Sequence, residues 1–277
     1  MAVTQGNKIA VQERDKVAMK MIPAQIAEAQ RLSQRNKTLK KKYKYCDDDV
    51  YKNYAYRALS SQFENLQKFE SFYSSLNDCN TKDEFLRVGS SYLFFVKNGD
   101  WHVDDPQSNP VIDYFTNSYK LVALFAIIES LFEKKNIDFF CWLSEKDQKS
   151  VFPIRDRSQL RKLYDEYKRE YGSIRRCKSF FANLSAPTQD KLRKSITIDG
   201  TPVSSIDTVV TMIYEVRSKF AHEIDATLEI GNFMCFSGGK DKRIVWKLPM
   251  QLLQSCFEEG VMTHFRNVAV IRRRPEA

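Results

Sequence analysis

The chain has 277 residues, of which 43% are hydrophobic and 13% aromatic, so it can bury a core and is not expected to be mainly disordered. It has only 9 glycines and 8 prolines. This scarcity argues against glycine-rich nucleotide-binding folds and turn-rich sandwiches and favours a helical protein. The net charge of +9 favours polyanionic partners.

Two features predict a cytoplasmic protein without a membrane span. The longest apolar run, Leu121 to Ile128, is too short to cross a bilayer, and residues 1–17 lack the apolar core of a secretory signal. The six cysteines are at least 21 residues apart, which excludes CxxC metal knuckles and predicts reduced thiols. With only three histidines as well, we expect neither a metal nor another cofactor.

The N-terminal part of the chain is predicted to be helical over residues 8–36, with a break at Pro23. Residues 36–45 then interleave tyrosine with basic side chains. Such a run is either a solvated linker or a phosphate-contacting patch. In the second case the RNA-binding residues are Lys40, Lys41, Lys42 and Lys44.

Apolar residues at helical spacing predict one long helix over residues 47–77. A capping box at Thr81–Glu84 predicts the start of the next helix, which extends to about Val96. The polar stretch 97–110 is the clearest loop. We therefore predict an N-terminal helical region, 1–105, and a helical domain, 106–277.

The second region is predicted to contain one small β-hairpin near 227–248, among helices over 114–135, 138–150, 158–171, 173–184, 188–196, 203–223 and 249–266. Gly172 is well placed to end one of these helices. The predicted fold class is all-α, a mainly helical bundle with that single hairpin.

Most common catalytic motifs are missing. Gly238-Gly239-Lys240 lacks the spacing of a phosphate-binding loop. His102 with Asp104 and Asp105 is more simply a hydrated loop cluster than a metal site. His264 lies in an amphipathic helix and is predicted to be structural.

The unusual residue of the helix over 203–223 is Arg217. At about 100° per residue it lies about 40° from Ile213, inside the apolar stripe formed by Ile206, Val209, Val216 and Phe220. A guanidinium there pairs with a carboxylate, extends to water, or faces a second chain or a cleft.

The end of this helix, IYEVRSKFAH, resembles the R-x4-6-H signature of HEPN domains, with Arg217 and His222 in the signature positions. The upstream segment LFAIIESLF resembles the acidic second helix of that family and places Glu129 in the acidic position. Ser218 departs from the family, which usually carries Asn there. The resemblance implies a helical homodimer with one of two functions. The first is a metal-independent endoribonuclease of toxin–antitoxin or phage-defence systems, with RNA and an antitoxin or regulatory protein as partners. The second is a non-catalytic adaptor that binds protein or nucleic acid.

Under the first alternative the catalytic residues are Arg217, His222, Glu129 and Ser218. Histidine suits proton transfer near neutral pH, and arginine offers a permanent charge for phosphate oxygens. Five helical positions nevertheless separate Arg217 from His222 by about 140°. A structural alternative remains open for each of them: a helix C-terminal cap for His222, and an ion pair with Glu129 or another acid for Arg217.

Overall fold

The computed structural model describes residues 45–76, 78–100, 109–132, 139–144, 153–225, 227–238 and 243–271. Of these described residues, 71% are helical. They form ten α-helices and a small antiparallel sheet. The predicted fold class is therefore confirmed. The predicted helix over 8–36, the lysines at 40–44 and the His102 cluster lie outside the described residues.

The first described segment is not the single long helix predicted over 47–77. It consists of α1 (Asp49–Leu59), a 3-10 turn (Ser60–Gln62) and α2 (Leu66–Ser75). The break occurs at Asn65, whose side chain accepts a hydrogen bond from the Lys68 backbone NH at 3.0 Å and caps α2. The apolar spacing continues across this break, which is why periodicity alone missed it.

Helix α3 (Cys79–Tyr92) begins at an Asp78 cap rather than at the predicted Thr81 box, because the Asp78 carboxylate accepts from the Thr81 backbone NH at 2.9 Å. It continues as a π-helical turn, Leu93–Lys97. The next helices are α4 (Asn109–Ser130), α5 (Phe139–Ser144), α6 (Arg157–Tyr171), α7 (Ser173–Ala182) and α8 (Ala186–Lys194). Gly172 separates α6 from α7, as predicted.

The sheet has four strands in the order β2-β1-β4-β3. The predicted hairpin is present as β3 (Cys235–Ser237) paired with β4 (Ile244–Trp246). The strands β1 (Ile196–Ile198) and β2 (Thr201–Pro202) add a second hairpin that the sequence analysis did not predict. Helix α9 (Ile206–Glu223) follows β2, and α10 (Met250–Ile271) follows β4.

One hydrophobic core unites helices from both sides of the predicted boundary at residues 105/106. Phe85 of α3, for example, packs edge-on against Phe265 of α10, with ring centroids 5.1 Å apart. Close helix packing depends on glycine at two places. A Cβ at Gly89 would lie 2.8 Å from Ala55 Cβ, and one at Gly260 would enter the Phe180 ring.

A buried carboxylate ties α10 to the N-terminal helices. Glu258 is 5% exposed and accepts hydrogen bonds from Tyr92 Oη at 2.7 Å, from Lys97 Nζ at 2.9 Å and from Ser61 Oγ. Lys97 Nζ also donates to the Ala58 carbonyl at 2.7 Å. The charge is therefore both paired and hydrogen-bonded, as a buried ion requires.

Candidate functional site

Helix α9 positions the guanidinium that the sequence analysis singled out. The helix begins at Ser205, whose side chain accepts from the Thr208 backbone NH at 3.1 Å, and it buries an apolar stripe against the core. Arg217 is half-buried beside that stripe, and its guanidinium carbon lies 5.4 Å from the ring centroid of Tyr214. Its Nε atom is buried and has no hydrogen-bond partner. Such an orphaned atom in a buried guanidinium is uncommon in native proteins.

Glu129, in the last turn of α4, shares this feature. It is half-buried, and its Oε1 atom is buried without a hydrogen-bond partner. Glu129 and Arg217 both act on the buried thiol of Cys177 in α7. Burial raises the pKa of Cys177, the charge of Glu129 raises it further, and the charges of Arg217 and Arg176 oppose the increase. Three helices thus bring a carboxylate and guanidinium groups to one thiol.

The structure places His222 elsewhere on α9. The helix is regular through Glu223, so His222 is turned about 140° from Arg217, and its side chain is exposed. Ser218 is half-buried on the turn between them. One chain therefore gathers Arg217 and Glu129 around Cys177 but does not bring His222 to the same face.

The turn that carries His222 ends in an unusual conformation. Ile224 caps α9 with φ 56° and ψ 30°, the left-handed region that favours glycine, and its backbone NH donates to the Phe220 carbonyl at 3.0 Å. A β-branched side chain is rarely found there. The side chain of Ile224 is 73% exposed, so packing does not explain it.

A cavity of about 410 Å³ lies next to the Glu129 end of α4. Arg176 borders it and donates from Nη1 to the Glu129 backbone carbonyl at 3.4 Å. The cavity is lined by Leu131, Phe132, Glu170, Gly172, Arg175, Arg176 and Ser179. Its size fits a small ligand, and its two guanidinium groups favour an anion.

Among the described residues, the others considered in the sequence analysis do not form part of this site. Lys40, Lys41, Lys42 and Lys44 lie outside the described residues. His264 is half-buried, burial lowers its pKa, and its ring packs edge-on against Phe265 at 5.1 Å, as expected for a structural histidine. In the described part of the chain, no three His, Cys, Asp or Glu residues are grouped to hold a metal ion.

Cys177, Arg175 and Arg176 were not predicted as site residues from the sequence. Their only sequence signal is a pair of arginines next to a cysteine in an amphipathic segment, a pattern without specific meaning by itself. Their proximity to Glu129 and Arg217 arises from the packing of α7 against α4 and α9, which local sequence does not encode.

The chain was compared with known proteins. No family model matches it, and neither a curated protein nor a solved structure matches it significantly. Within the described residues, no helix is long and apolar enough to cross a membrane.

Proposed function

We propose that this chain is a metal-independent endoribonuclease of HEPN type, cytoplasmic and homodimeric, that acts in phage defence or as part of a toxin–antitoxin system. The observation that carries the proposal is the placement of Arg217. A permanent cation is half-buried beside the apolar stripe of α9, its Nε has no partner, and a nearby carboxylate oxygen of Glu129 has none either. Strained or unsatisfied polar groups are typical of functional sites.

The proposed chemistry uses only side chains. His222 accepts the proton of an RNA 2′-hydroxyl, whose oxygen attacks the adjacent phosphorus. The bond to the 5′-oxygen breaks, this oxygen takes up a proton from water, and His222 releases its own proton to water. The products are a 2′,3′-cyclic phosphate and a 5′-hydroxyl. Arg217 stabilises the negative charge on the phosphorane oxygens, Glu129 orients the guanidinium, and Ser218 donates a hydrogen bond to phosphate.

The resemblance to HEPN domains implies a homodimer, and the divergence of Arg217 and His222 is consistent with a site shared between two copies. Because a regular α9 turns them about 140° apart, a single helix cannot present both to one phosphate. Two copies of α9 facing each other across a cleft supply both groups to one site. A monomeric nuclease would contradict this part of the proposal.

The nuclease activity is tested with purified protein and single-stranded and structured RNA in excess EDTA. We expect His222→Ala and Arg217→Ala each to lower the cleavage rate by about 100-fold or more, the typical contribution of an acid–base group and of a donor to the transition-state charge, respectively. Glu215→Gln, an exposed position on the same helix, is the matched control and should cleave normally. Equal cleavage by wild type and His222→Ala would reject the proposal.

One observation favours a second candidate function, a non-catalytic adaptor of the same fold. The segment after α9 exposes five large apolar side chains, Ile224, Leu228, Phe233, Met234 and Phe236, with Phe233 75% exposed. Exposed apolar groups close together are typical of protein docking surfaces, such as one for an antitoxin or a regulatory protein. Under this alternative, cellular function survives the double variant R217A/H222A and is lost in Phe233→Asp.

A further inference from the structure

Helix α6 is the most solvent-exposed helix near the candidate site. Its main contacts are with α5 and α7, and most of its side chains are exposed. Two of the exposed side chains are large and apolar or aromatic, Leu160 at 42% and Tyr164 at 40%. A helix of this kind offers a surface without contributing much to the core.

The segment containing α6 carries much of the charge of the protein. Residues 155–178 include nine basic and four acidic residues, a net charge of +5 out of +9 for the whole chain. Among the residues that the structure describes, Arg157, Arg161 and Lys162 form no ion pair. Their charge is thus available to a polyanion.

The charges are arranged as one stripe. At about 100° per residue, Arg157, Leu160, Arg161 and Lys168 all fall within about 60° of Tyr164. The acidic residues Asp165, Glu166 and Glu170 fall at least about 100° away. With a rise of 1.5 Å per residue, the stripe from Arg157 to Lys168 is about 17 Å long. It is therefore a cationic surface with an aromatic ring between its charges.

Neighbouring rings hold Tyr164 in place. Phe139 of α5 packs edge-on against it at 5.3 Å, and Tyr167 stacks at 6.2 Å, both between ring centroids. Lys168 Nζ lies 4.7 Å from the Tyr164 centroid. A ring that is fixed before binding loses little conformational entropy when a nucleobase stacks on it.

The stripe leads towards the candidate site. At Gly172 the chain passes from α6 directly into α7, which carries Arg175, Arg176 and Cys177. The cavity described above lies at this junction and is bordered by Glu170 of α6 and both arginines of α7. A strand bound along α6 thus ends beside this cavity, whose Arg176 donates to the Glu129 backbone carbonyl.

We propose that the α6 stripe, Arg157, Leu160, Arg161, Tyr164 and Lys168, is a binding track for single-stranded RNA. The three cations contact phosphates, and a base stacks on Tyr164. This inference rests on the proposed function, because it takes RNA as the substrate. It adds a surface that holds the substrate.

The charge part of the inference is tested by fluorescence anisotropy with a labelled 2′-O-methyl oligouridine of 15 nucleotides, which lacks a reactive 2′-hydroxyl and cannot be cleaved. The triple variant R157Q/R161Q/K168Q should bind at least tenfold more weakly. Its slope of log affinity against log salt should be less steep by about 2, since each phosphate contact on a single strand contributes about 0.7. The matched control R57Q/K68Q/K247Q removes three exposed cations elsewhere and should bind like wild type.

The stacking part is tested at one position. Tyr164→Ala should weaken binding by about 5- to 100-fold, the range for loss of one stacked base, whereas Tyr164→Phe should stay within twofold of wild type. Circular dichroism and thermal unfolding verify that each variant is folded. Equal losses in the two triple variants, or no binding by wild type, would overturn the inference, and a peptide ligand for the stripe would also count against it.

These outcomes are separable from those for the nuclease. If wild type binds through α6 but cleaves no RNA, the proposed activity is wrong and the binding track stands. If wild type cleaves RNA and the α6 variants bind normally, the track is wrong and the activity stands.

Discussion

Two carboxylates with buried oxygens have opposite surroundings in this fold. Glu258 of α10 accepts hydrogen bonds from Ser61, Tyr92 and Lys97, so its charge is satisfied by neighbours from three parts of the chain. Glu129 of α4 has a buried oxygen with no hydrogen-bond partner, and the guanidinium of Arg217 near it has an equally orphaned Nε. Removing one partner from the first arrangement destabilises the native state, because it leaves a charge uncompensated.

The second arrangement gives no comparable stabilisation. Buried polar atoms without partners cost free energy, so their presence needs another explanation. A ligand that accepts a hydrogen bond from Arg217 and donates one to Glu129 provides one, and an RNA, with phosphate acceptors and hydroxyl donors, or a second protein chain meets that description. The contrast between Glu258 and Glu129 therefore separates a structural site from a candidate functional site by hydrogen bonding alone.

The largest expected effect is at Glu258. We predict that Glu258→Gln lowers the free energy of unfolding by about 3 to 5 kcal/mol, because it leaves the Lys97 ammonium partly buried without a counter-charge. Urea denaturation measures this change. The control is Glu259→Gln on the same helix, where loss of the hydrogen bonds from Ser185 and Thr188 should cost about 1 kcal/mol. Equal losses at the two positions would refute the special role of Glu258.

A second prediction concerns how the free energy of unfolding decreases at alkaline pH because of a buried thiol of α10. Burial, with a contribution from the Glu259 charge, raises the pKa of Cys256 to about 12. The unfolded chain then releases this proton first, so the stabilisation is complete below about pH 9 and decreases up to about pH 12. We expect a loss of about 1.4 kcal/mol per pH unit within this window from this thiol.

The measurement for this prediction is urea denaturation at several pH values between 7 and 11. Cys256→Ala should reduce the slope of stability against pH by that amount, whereas Cys79→Ala, at an exposed thiol, should leave it unchanged. An unchanged slope in Cys256→Ala would show that this thiol does not contribute.

The smallest effect on stability is expected at the Glu129–Arg217 site. A double-mutant cycle with Glu129→Gln and Arg217→Met should give a coupling energy below about 0.5 kcal/mol, because these groups lack the hydrogen bonds that couple Glu258 to Lys97. The same cycle with Glu258→Gln and Lys97→Met should give about 2 kcal/mol or more. A strong coupling between Glu129 and Arg217 would identify them as a structural ion pair and remove the basis of the contrast.

The elements of this fold that could be predicted are those set by neighbouring residues in the sequence. Apolar periodicity identified α4 and α9, and Gly172 marked the end of α6. Two strand-like segments around the predicted turn at Gly238-Gly239 indicated the hairpin of β3 and β4. Periodicity failed where a polar cap interrupts a continuous apolar pattern, as at Asn65. It also failed at β1, whose three residues form a strand only because β4 pairs with them.

The candidate site was predictable to the same degree. Arg217 stood out because a charge within an apolar stripe conflicts with helical patterning, and that conflict is local. The convergence of Glu129, Cys177 and Arg217 is not local, since it joins three helices that are far apart in sequence. The hydrogen bonds of Glu258 were not predicted for the same reason, since Tyr92 lies 166 positions away from its acceptor.

The left-handed cap at Ile224 has a consequence for His222. An L-residue in this conformation is disfavoured by roughly 1 to 2 kcal/mol, and the 73% exposure of the side chain offers little packing in return. Unwinding the final turn of α9 relieves that strain, so this turn requires less work to reorganise than any turn buried in the bundle. His222 therefore lies on the turn of α9 that can reorient at low cost when a second macromolecule binds.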